Sequence, residues 1–233
     1  HAFAEPGVDP HYGPDRGFVL ARVELDLDID PEVAEFSGEA ALQILPLLSG
    51  LGEVLLHFCD LEIDEVTDGE GKSLGWKHDD AMLRVTGLPA AGGTVRVRYH
   101  CHPRRGLYFT GPSLPEPTRG HMAWSQCQDE DARYLFPCVD HPSVKFPIDV
   151  TVHAPKGYTV VSNGRLLTCE SGEGKTAWHY IQAEPIPAYL FTVVVAQLDV
   201  FEDSLDGLPV RYLVPAGTPR EITRRVFEKT PRM

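Results

Sequence analysis

Two glutamines near the middle of the chain have a spacing that suits recognition of a small cationic group. Gln126 and Gln128 lie in the segment Met122 to Gln128, whose alternation predicts a strand with both amides on one face. At about 3.3 Å per residue, the two amides would lie roughly 7 Å apart. Because an amide oxygen is a neutral hydrogen-bond acceptor, the pair would receive an ammonium group without forming a salt bridge. The alternative is a strand edge with solvated glutamines.

The potential metal ligands in the sequence do not form a convincing site. In the His-Cys-His tripeptide of residues 100–102, strand alternation separates the thiol from the two imidazoles, so they do not converge on one ion. Cys127, Cys138 and His141 lack the spacing of a structural zinc site. The sequence also contains no HExxH motif. We therefore expect this chain to bind no metal and to catalyse no hydrolysis by itself.

A proline-containing loop, FPCVDHP, follows the glutamines, and its residue types predict a structural role. We expect Arg133 or Lys145 to pair with Asp140 and hold the loop, while the prolines fix its path. We expect Cys138 to be a buried apolar residue, since no base is clearly placed to activate it. The candidate structural residues are Arg133, Pro137, Cys138, Asp140, Pro142 and Lys145.

Period-2 alternation of apolar and polar residues dominates the chain and predicts an all-β fold. The pattern is clearest from Val19 to Asp30, where one face is apolar and the other is mostly acidic. The stretch from Leu190 to Val195 is apolar on both faces, which predicts a central strand in a covered sheet. Two packed sheets would account for both patterns. The predicted strands are Val19–Asp30, Phe36–Leu47, Val54–Cys59, Met82–Val85, Val95–Cys101, Met122–Gln128, Phe146–His153, Thr159–Val161, Ala177–Ile181, Tyr189–Phe201 and Val210–Val214.

Composition excludes several functional classes. The 233 residues carry a formal charge of −13 with no stretch dense in Lys and Arg, which argues against a nucleic-acid partner. No apolar run approaches the roughly 20 residues that cross a bilayer, so we expect no membrane association. The five cysteines form no CxxC motif and lie mostly within apolar patterns, which favours reduced thiols and a cytoplasmic location.

The chain divides into three segments. Residues 1–16 are rich in Pro and Gly, which predicts an extended N-terminal lead-in. Residues 17–216 contain the alternating segments and are predicted to form the β domain. Residues 217–233 begin with a capping box, Thr218 to Glu221, and predict a short helix. Its apolar residues Ile222, Val226 and Phe227 share one face with little in this sequence to cover it. We therefore expect this helix to begin a following domain.

The segment SQCQDEDARYLFPCVDHPSVKFPIDVTVHAPKGYTVVSNG resembles the N-terminal domain of the gluzincin zinc aminopeptidases, the family of aminopeptidase N and the leukotriene-processing hydrolase. RGLYFT, PIPAYL and the terminal EKTPRM are more distant similarities. His141 departs from the acidic or small polar residue that commonly precedes the loop proline. The matched positions are Ser125, Gln126, Gln128, Ala132, Arg133, Phe136, Pro137, Cys138, Asp140, Pro142, Lys145, Ser162 and Asn163.

The resemblance implies a saddle-like sandwich of mixed and antiparallel sheets that covers the active site of a downstream zinc domain. It also implies that Gln128 binds the free α-amino group of a peptide substrate and that Gln126 lines the pocket for the first side chain. Zinc and hydrolysis would then belong to that catalytic domain. The alternative is a non-catalytic scaffold or interaction module of the same family, with the acidic face of the first strand as its contact surface.

Overall fold

The computed structural model describes residues 13, 16–47, 50–79 and 81–233, and most of these residues lie in β-strands. The all-β prediction is confirmed. The predicted lead-in 1–16 lies outside the described residues, apart from Gly13 and Arg16. The strands are β1 (Phe18–Asp30), β2 (Glu35–Pro46), β3 (Glu53–His57), β4 (Glu62–Asp68), β5 (Gly75–His78), β6 (Met82–Thr86), β7 (Gly93–Cys101), β8 (Gly106–Thr110), β9 (Met122–Gln126), β10 (Lys145–Pro155), β11 (Thr159–Ser162), β12 (Arg165–Ser171), β13 (Lys175–Pro187), β14 (Val193–Ala196), β15 (Leu198–Leu205) and β16 (Leu208–Pro215).

The strands form sheets of seven, four, three and two strands. The seven-stranded sheet has the order β12-β13-β10-β1-β2-β7-β4, and it is mixed because β1 pairs with β10 in parallel. The four-stranded sheet, β11-β14-β9-β8, and the three-stranded sheet, β3-β6-β5, are antiparallel. Strands β15 and β16 form a separate hairpin. These mixed and antiparallel sheets agree with the predicted fold class.

Alternation in β1 places its apolar residues in the core, as predicted. Val23, Leu25, Leu27 and Ile29 are buried, whereas the acidic residues between them are exposed or half-buried. One continuous apolar core includes buried residues of the seven-, four- and three-stranded sheets. The four-stranded sheet, which carries Gln126 at the end of β9, is therefore fixed to the rest of the domain by its buried face.

The predicted strand Tyr189–Phe201 is too long. It begins instead with a 3-10 turn at Ala188–Leu190, closed by a hydrogen bond from the Phe191 N–H to the Ala188 carbonyl. Strands β14 and β15 follow as separate strands in different sheets. The short strand β14 lies between β11 and β9, so the predicted central position is confirmed. Val194, on the second face of this strand, is only half-buried, so the structure does not show the covered second face that was predicted.

Several strands have no counterpart in the sequence prediction. Strands β4 and β12 are the two edges of the seven-stranded sheet, and β12 is almost entirely exposed. Strand β5 lies at an edge of the three-stranded sheet and is also largely exposed. Edge strands with two wet faces show no apolar alternation, so hydrophobic periodicity does not detect them. Strand β8, an edge of the four-stranded sheet, is only five residues long.

The C-terminal segment contains the predicted helix, α1 (Arg220–Phe227), followed by a 3-10 turn at Thr230–Arg232. The predicted capping box is wrong, because the Thr218 hydroxyl donates to the Pro215 carbonyl at 2.5 Å and does not cap the helix. On the helix, Ile222 and Val226 are 46% and 64% exposed. Phe227 instead stacks on Tyr212 of β16, with ring centroids 4.7 Å apart. The predicted apolar stripe is therefore covered only in part.

Candidate functional site

Gln126 and Gln128 are both exposed, and the buried Cys127 lies between them. Gln126 is the last residue of β9 and pairs with Gly106, the first residue of β8. Gln128 lies beyond the strand in a turn closed by a 2.9 Å hydrogen bond from the Asp131 N–H to the Cys127 carbonyl. The predicted strand therefore ends two residues early, because the antiparallel partner β8 begins only at Gly106 and offers no pairing beyond Gln126. The spacing expected from a regular strand does not apply to this pair.

Strand β9 is held in place from its buried side. Ala123 and Cys127 are each 1% exposed. The Ser125 hydroxyl accepts a 2.8 Å hydrogen bond from the Val193 N–H and donates to the Phe191 carbonyl at 3.4 Å. These contacts join β9 to the chain entering β14. Gln126 is thus presented to solvent from a fixed strand.

Arg133 and Asp140 connect the turn after Gln128 to the FPCVDHP loop. The backbone N–H and Nε of Arg133 lie 3.1 and 3.3 Å from Oδ2 of Asp140. One guanidinium nitrogen also donates to the Asp140 carbonyl at 3.1 Å and to Glu130 at 2.6 Å. Lys145 is exposed. Of the two cations that the sequence left open as partners of Asp140, the structure assigns Arg133.

His57 of β3 holds the same loop from the other side, a role that no motif or spacing in the sequence indicated. Its N–H donates to the Cys138 carbonyl at 2.7 Å, and the Cys138 N–H donates back at 3.1 Å. The Asp140 N–H donates to Nδ1 of His57 at 3.0 Å. Nearby, the Cys59 N–H donates to the Arg133 carbonyl at 3.0 Å. The loop therefore joins the turn after Gln128 to the three-stranded sheet.

Gly106 and Arg105 hold the turn from the side of β8, and neither was predicted as a site residue. Gly106 has φ +76°, and a Cβ there would lie 2.5 Å from the Asp131 carbonyl oxygen. Only glycine permits this close approach without strain. The Arg105 guanidinium lies 3.4 Å from the Asp131 carboxylate and 5.2 Å from the Tyr134 ring centroid. Gln128 is thus carried on a turn that neighbouring elements hold on several sides.

Burial is the largest cause of the pKa shifts of Asp140, Cys127 and Cys138, which lie close to the glutamines in the sequence. It raises the pKa of Asp140, whose side chain is 1% exposed, while the hydrogen bonds and charge of Arg133 act in the opposite direction. Burial also raises the pKa of the Cys127 and Cys138 thiols above their ordinary value. Cys138 is fully buried, as expected for a packing residue rather than a nucleophile. Pro137 is buried as well, and Pro142 is exposed.

No three His, Cys, Asp or Glu side chains converge as a metal site anywhere in the part of the chain that the structure describes. His100 lies 3.0 Å from Asp64, while Cys101 points to the core, so this pair separates as alternation predicts. The described donor set therefore does not fit a zinc ion, and we assign no zinc chemistry to these residues. Within the described residues, no helix has the length and apolar character needed to cross a membrane.

We compared the chain with known protein families and with proteins of known function. The family model of the peptidase M1 N-terminal domain matches residues 10–190. Leucine aminopeptidase 2-1 of Meyerozyma guilliermondii is 42% identical over 209 residues, covering 84% of this chain and 32% of that protein. Leucine aminopeptidase 2 of Yarrowia lipolytica is 32% identical over 154 residues, covering 60% of this chain and 22% of that protein. The chain thus spans a third or less of these relatives.

Solved structures share the fold. Yeast LTA4 hydrolase in complex with bestatin superposes with a TM-score of 0.70 at 21% identity, covering 86% of this chain and 33% of that one. A mutant M1 zinc metallopeptidase from Deinococcus radiodurans, bound to a Tyr-Ser-Ala substrate, gives a TM-score of 0.69 at 22% identity. That match covers 91% of this chain and 52% of the other. The family match and the shared fold lead to one conclusion: this chain belongs to the peptidase M1 N-terminal domain family of the zinc aminopeptidases.

Proposed function

We propose that this chain is the N-terminal domain of a zinc metallo-aminopeptidase, in which it covers the active site and binds the free α-amino group of the peptide. Gln128 binds the ammonium, and Gln126 lines the space for the first side chain. Zinc and hydrolysis belong to a catalytic domain that follows. The expected partners are that domain and a peptide N-terminus.

The observation that carries this proposal is that both glutamines are exposed, while the strand end and the turn that carry them are held by contacts with neighbouring elements. Gln126 and Gln128 are exposed, while Cys127 between them is buried. The turn that carries Gln128 is fixed by Gly106, by Arg105 and by the contact between Arg133 and Asp140. A fixed acceptor at a set distance from a scissile bond limits cleavage to the first residue of a peptide. Neutral amides also allow the cleaved amino acid to leave.

The test uses the protein joined to its downstream domain and compares wild type with Gln128→Ala. Substrates are a leucyl peptide with a free amino terminus and the same peptide acetylated. We expect Gln128→Ala to lower kcat/KM for the free peptide by about tenfold or more, with the acetylated peptide little affected. The preference for a free terminus would therefore shrink.

Gln43→Ala is the matched control, because Gln43 is exposed on β2 of the seven-stranded sheet. It should leave both substrates unchanged. If Gln128→Ala kept the wild-type preference for the free peptide, the role of Gln128 would be refuted. A protein without peptidase activity would refute the enzymatic proposal as a whole.

The scaffold alternative has less support, because the acidic face of β1 is largely engaged within the domain. Asp26 contacts His153 at 3.0 Å, and Asp28 contacts Lys175 at 2.5 Å. Glu24 contacts Arg22 at 3.3 Å. Arg22 and Lys175 are cations, so their contacts with Glu24 and Asp28 leave less net negative potential for a cationic partner. No observation on this face favours a partner over solvent.

A further inference from the structure

Asp131 uses each of its polar groups to hold the turn that carries Gln128. Its backbone N–H closes the turn by donating to the Cys127 carbonyl at 2.9 Å, and its own carbonyl accepts a 3.2 Å hydrogen bond from the Tyr134 N–H. Its carboxylate lies 3.4 Å from the Arg105 guanidinium. The two backbone hydrogen bonds join residues only three or four positions apart. Of these three contacts, only that with Arg105 reaches a distant part of the chain.

Arg105 has a defined position relative to this turn. It directly precedes Gly106, which pairs with Gln126 where β8 begins and β9 ends. Its guanidinium lies 5.2 Å from the Tyr134 ring centroid and 3.5 Å from the Tyr134 hydroxyl oxygen. A cation over an aromatic face is attracted by the ring. The charge of Asp131 is the largest cause that raises the pKa of Arg105 above its ordinary value. The ring and the carboxylate therefore act together on one guanidinium.

The contact between Arg105 and Asp131 joins an exposed base to a partly buried acid. The Arg105 side chain is 58% exposed, whereas the Asp131 side chain is 15% exposed. An ion pair with one exposed member contributes little to global stability. Its effect is mainly local, because it restrains the Asp131 carboxylate and the backbone attached to it. Since the Asp131 N–H closes the turn, a shift of Asp131 would also move Gln128.

We infer that Arg105 is a positioning residue for amino-group recognition, which holds the Gln128 turn, through Asp131, in the orientation that presents the amide to the ammonium. This inference rests on the proposed function, because it takes Gln128 to bind the free amino group. Arg105 itself contacts no substrate in this account. Loss of the contact should therefore weaken the binding of amino groups without unfolding the domain.

The test measures the inhibition constant of the product leucine in the full-length protein. Arg105→Met should raise this constant about threefold to fivefold, as expected for the loss of an ion pair with one exposed member. The KM of a free leucyl peptide should rise by a similar factor with kcat nearly unchanged, whereas a merely structural loss would lower kcat. Arg104→Met is the matched control, because Arg104 is an exposed arginine at the preceding position. It should leave both constants unchanged.

Two double variants separate positioning from other causes. Arg105→Met combined with Asp131→Asn removes the pair without changing the net charge, so it should raise the inhibition constant as much as Arg105→Met alone. In the Gln128→Ala background, Arg105→Met should add less than about twofold, because residues that act through one site are not additive. The inference would be overturned by an unchanged or lowered constant in the charge-neutral double variant. A full further loss in the Gln128→Ala background would overturn it as well.

Gln128→Ala alone separates the present inference from the proposed function. It should raise the inhibition constant of leucine by about tenfold or more. If it does so while Arg105→Met has no effect, only the present inference fails. If Gln128→Ala leaves the constant unchanged, the proposed role of Gln128 fails, and the present inference fails with it.

Discussion

Arg133 approaches Oδ2 of Asp140 twice, through its backbone N–H at 3.1 Å and through Nε at 3.3 Å. Asp140 is almost completely buried, whereas the Arg133 side chain is 18% exposed. One acid thus holds both the main chain and the side chain of Arg133, which lies two residues after the turn that carries Gln128. The contact links the exposed candidate site to the FPCVDHP loop behind it.

Removing this cation should destabilise the protein. Arg133→Met leaves the Asp140 carboxylate buried without its partner, and we expect a loss of about 3 kcal/mol of unfolding free energy at pH 7. Lys145→Met, which removes an exposed cation near the same loop, should change it by less than about 0.5 kcal/mol. Urea denaturation measures both. Equal effects for the two variants would contradict the assignment of Arg133.

The cost of Arg133→Met should depend on pH in a defined direction. Burial already raises the pKa of Asp140, and losing Arg133 raises it further above the unfolded value of about 3.9. In the variant, the folded state therefore binds a proton that the unfolded state releases, and stability falls as pH rises through the raised pKa. The gap between wild type and variant should shrink as pH falls from 7.5 towards 4.5. A gap that widened at low pH would disprove the linkage.

Gln128→Glu should bind amino groups more tightly. A carboxylate forms a charge-assisted hydrogen bond with an ammonium, roughly twice as strong as the neutral one. We expect the inhibition constant of the product leucine to fall about threefold to tenfold in the full-length protein, with an effect that weakens as salt rises. Gln43→Glu adds the same charge at an exposed position of β2 and should leave product inhibition unchanged. Unaltered inhibition in Gln128→Glu would argue against ammonium binding there.

Gly106 should tolerate substitution less well than a glycine with the same backbone conformation in open space. Gly106 and Gly207 have φ +76° and +81°, but only Gly106 has an atom in contact range of an added Cβ. Gly207→Ala should cost about 1 kcal/mol from backbone strain alone. Gly106→Ala adds the clash with the Asp131 carbonyl and should cost about 2–3 kcal/mol. If chemical denaturation gave similar losses of unfolding free energy for the two variants, the turn at Asp131 would be able to move away from the added Cβ, contrary to this prediction.

Thiol labelling should distinguish one cysteine from the other four. Cys169 is exposed, whereas Cys59, Cys101, Cys127 and Cys138 are buried. Burial raises the pKa of Cys101 to about 12, so this thiol also stays protonated at ordinary pH. We expect a maleimide at pH 7.5 to label one thiol in the native chain, none in Cys169→Ser, and all five in denaturant. Rapid labelling of two or more native thiols would contradict this burial pattern.

The sequence by itself determined the strand-rich fold and the family, and it predicted Gln126 and Gln128 as candidate binding residues. Local alternation is enough to predict β1, because one face of that strand is core and the other is solvent. The dense run of matched residues from Ser125 to Asn163 was enough to identify the family. Both signals are local, so they can be read before any long-range contact is known.

Only the tertiary structure decided how the site is held. Gln128 lies beyond the strand because β8 begins at Gly106, opposite Gln126, and where the two strands stop pairing is a property of both strands. His57 contacts Asp140 and Arg105 contacts Asp131, and in each case the two residues are far apart in the sequence. No local spacing in the sequence predicts such contacts. Pairing and register depend on the whole core, which is why local patterns did not reveal them.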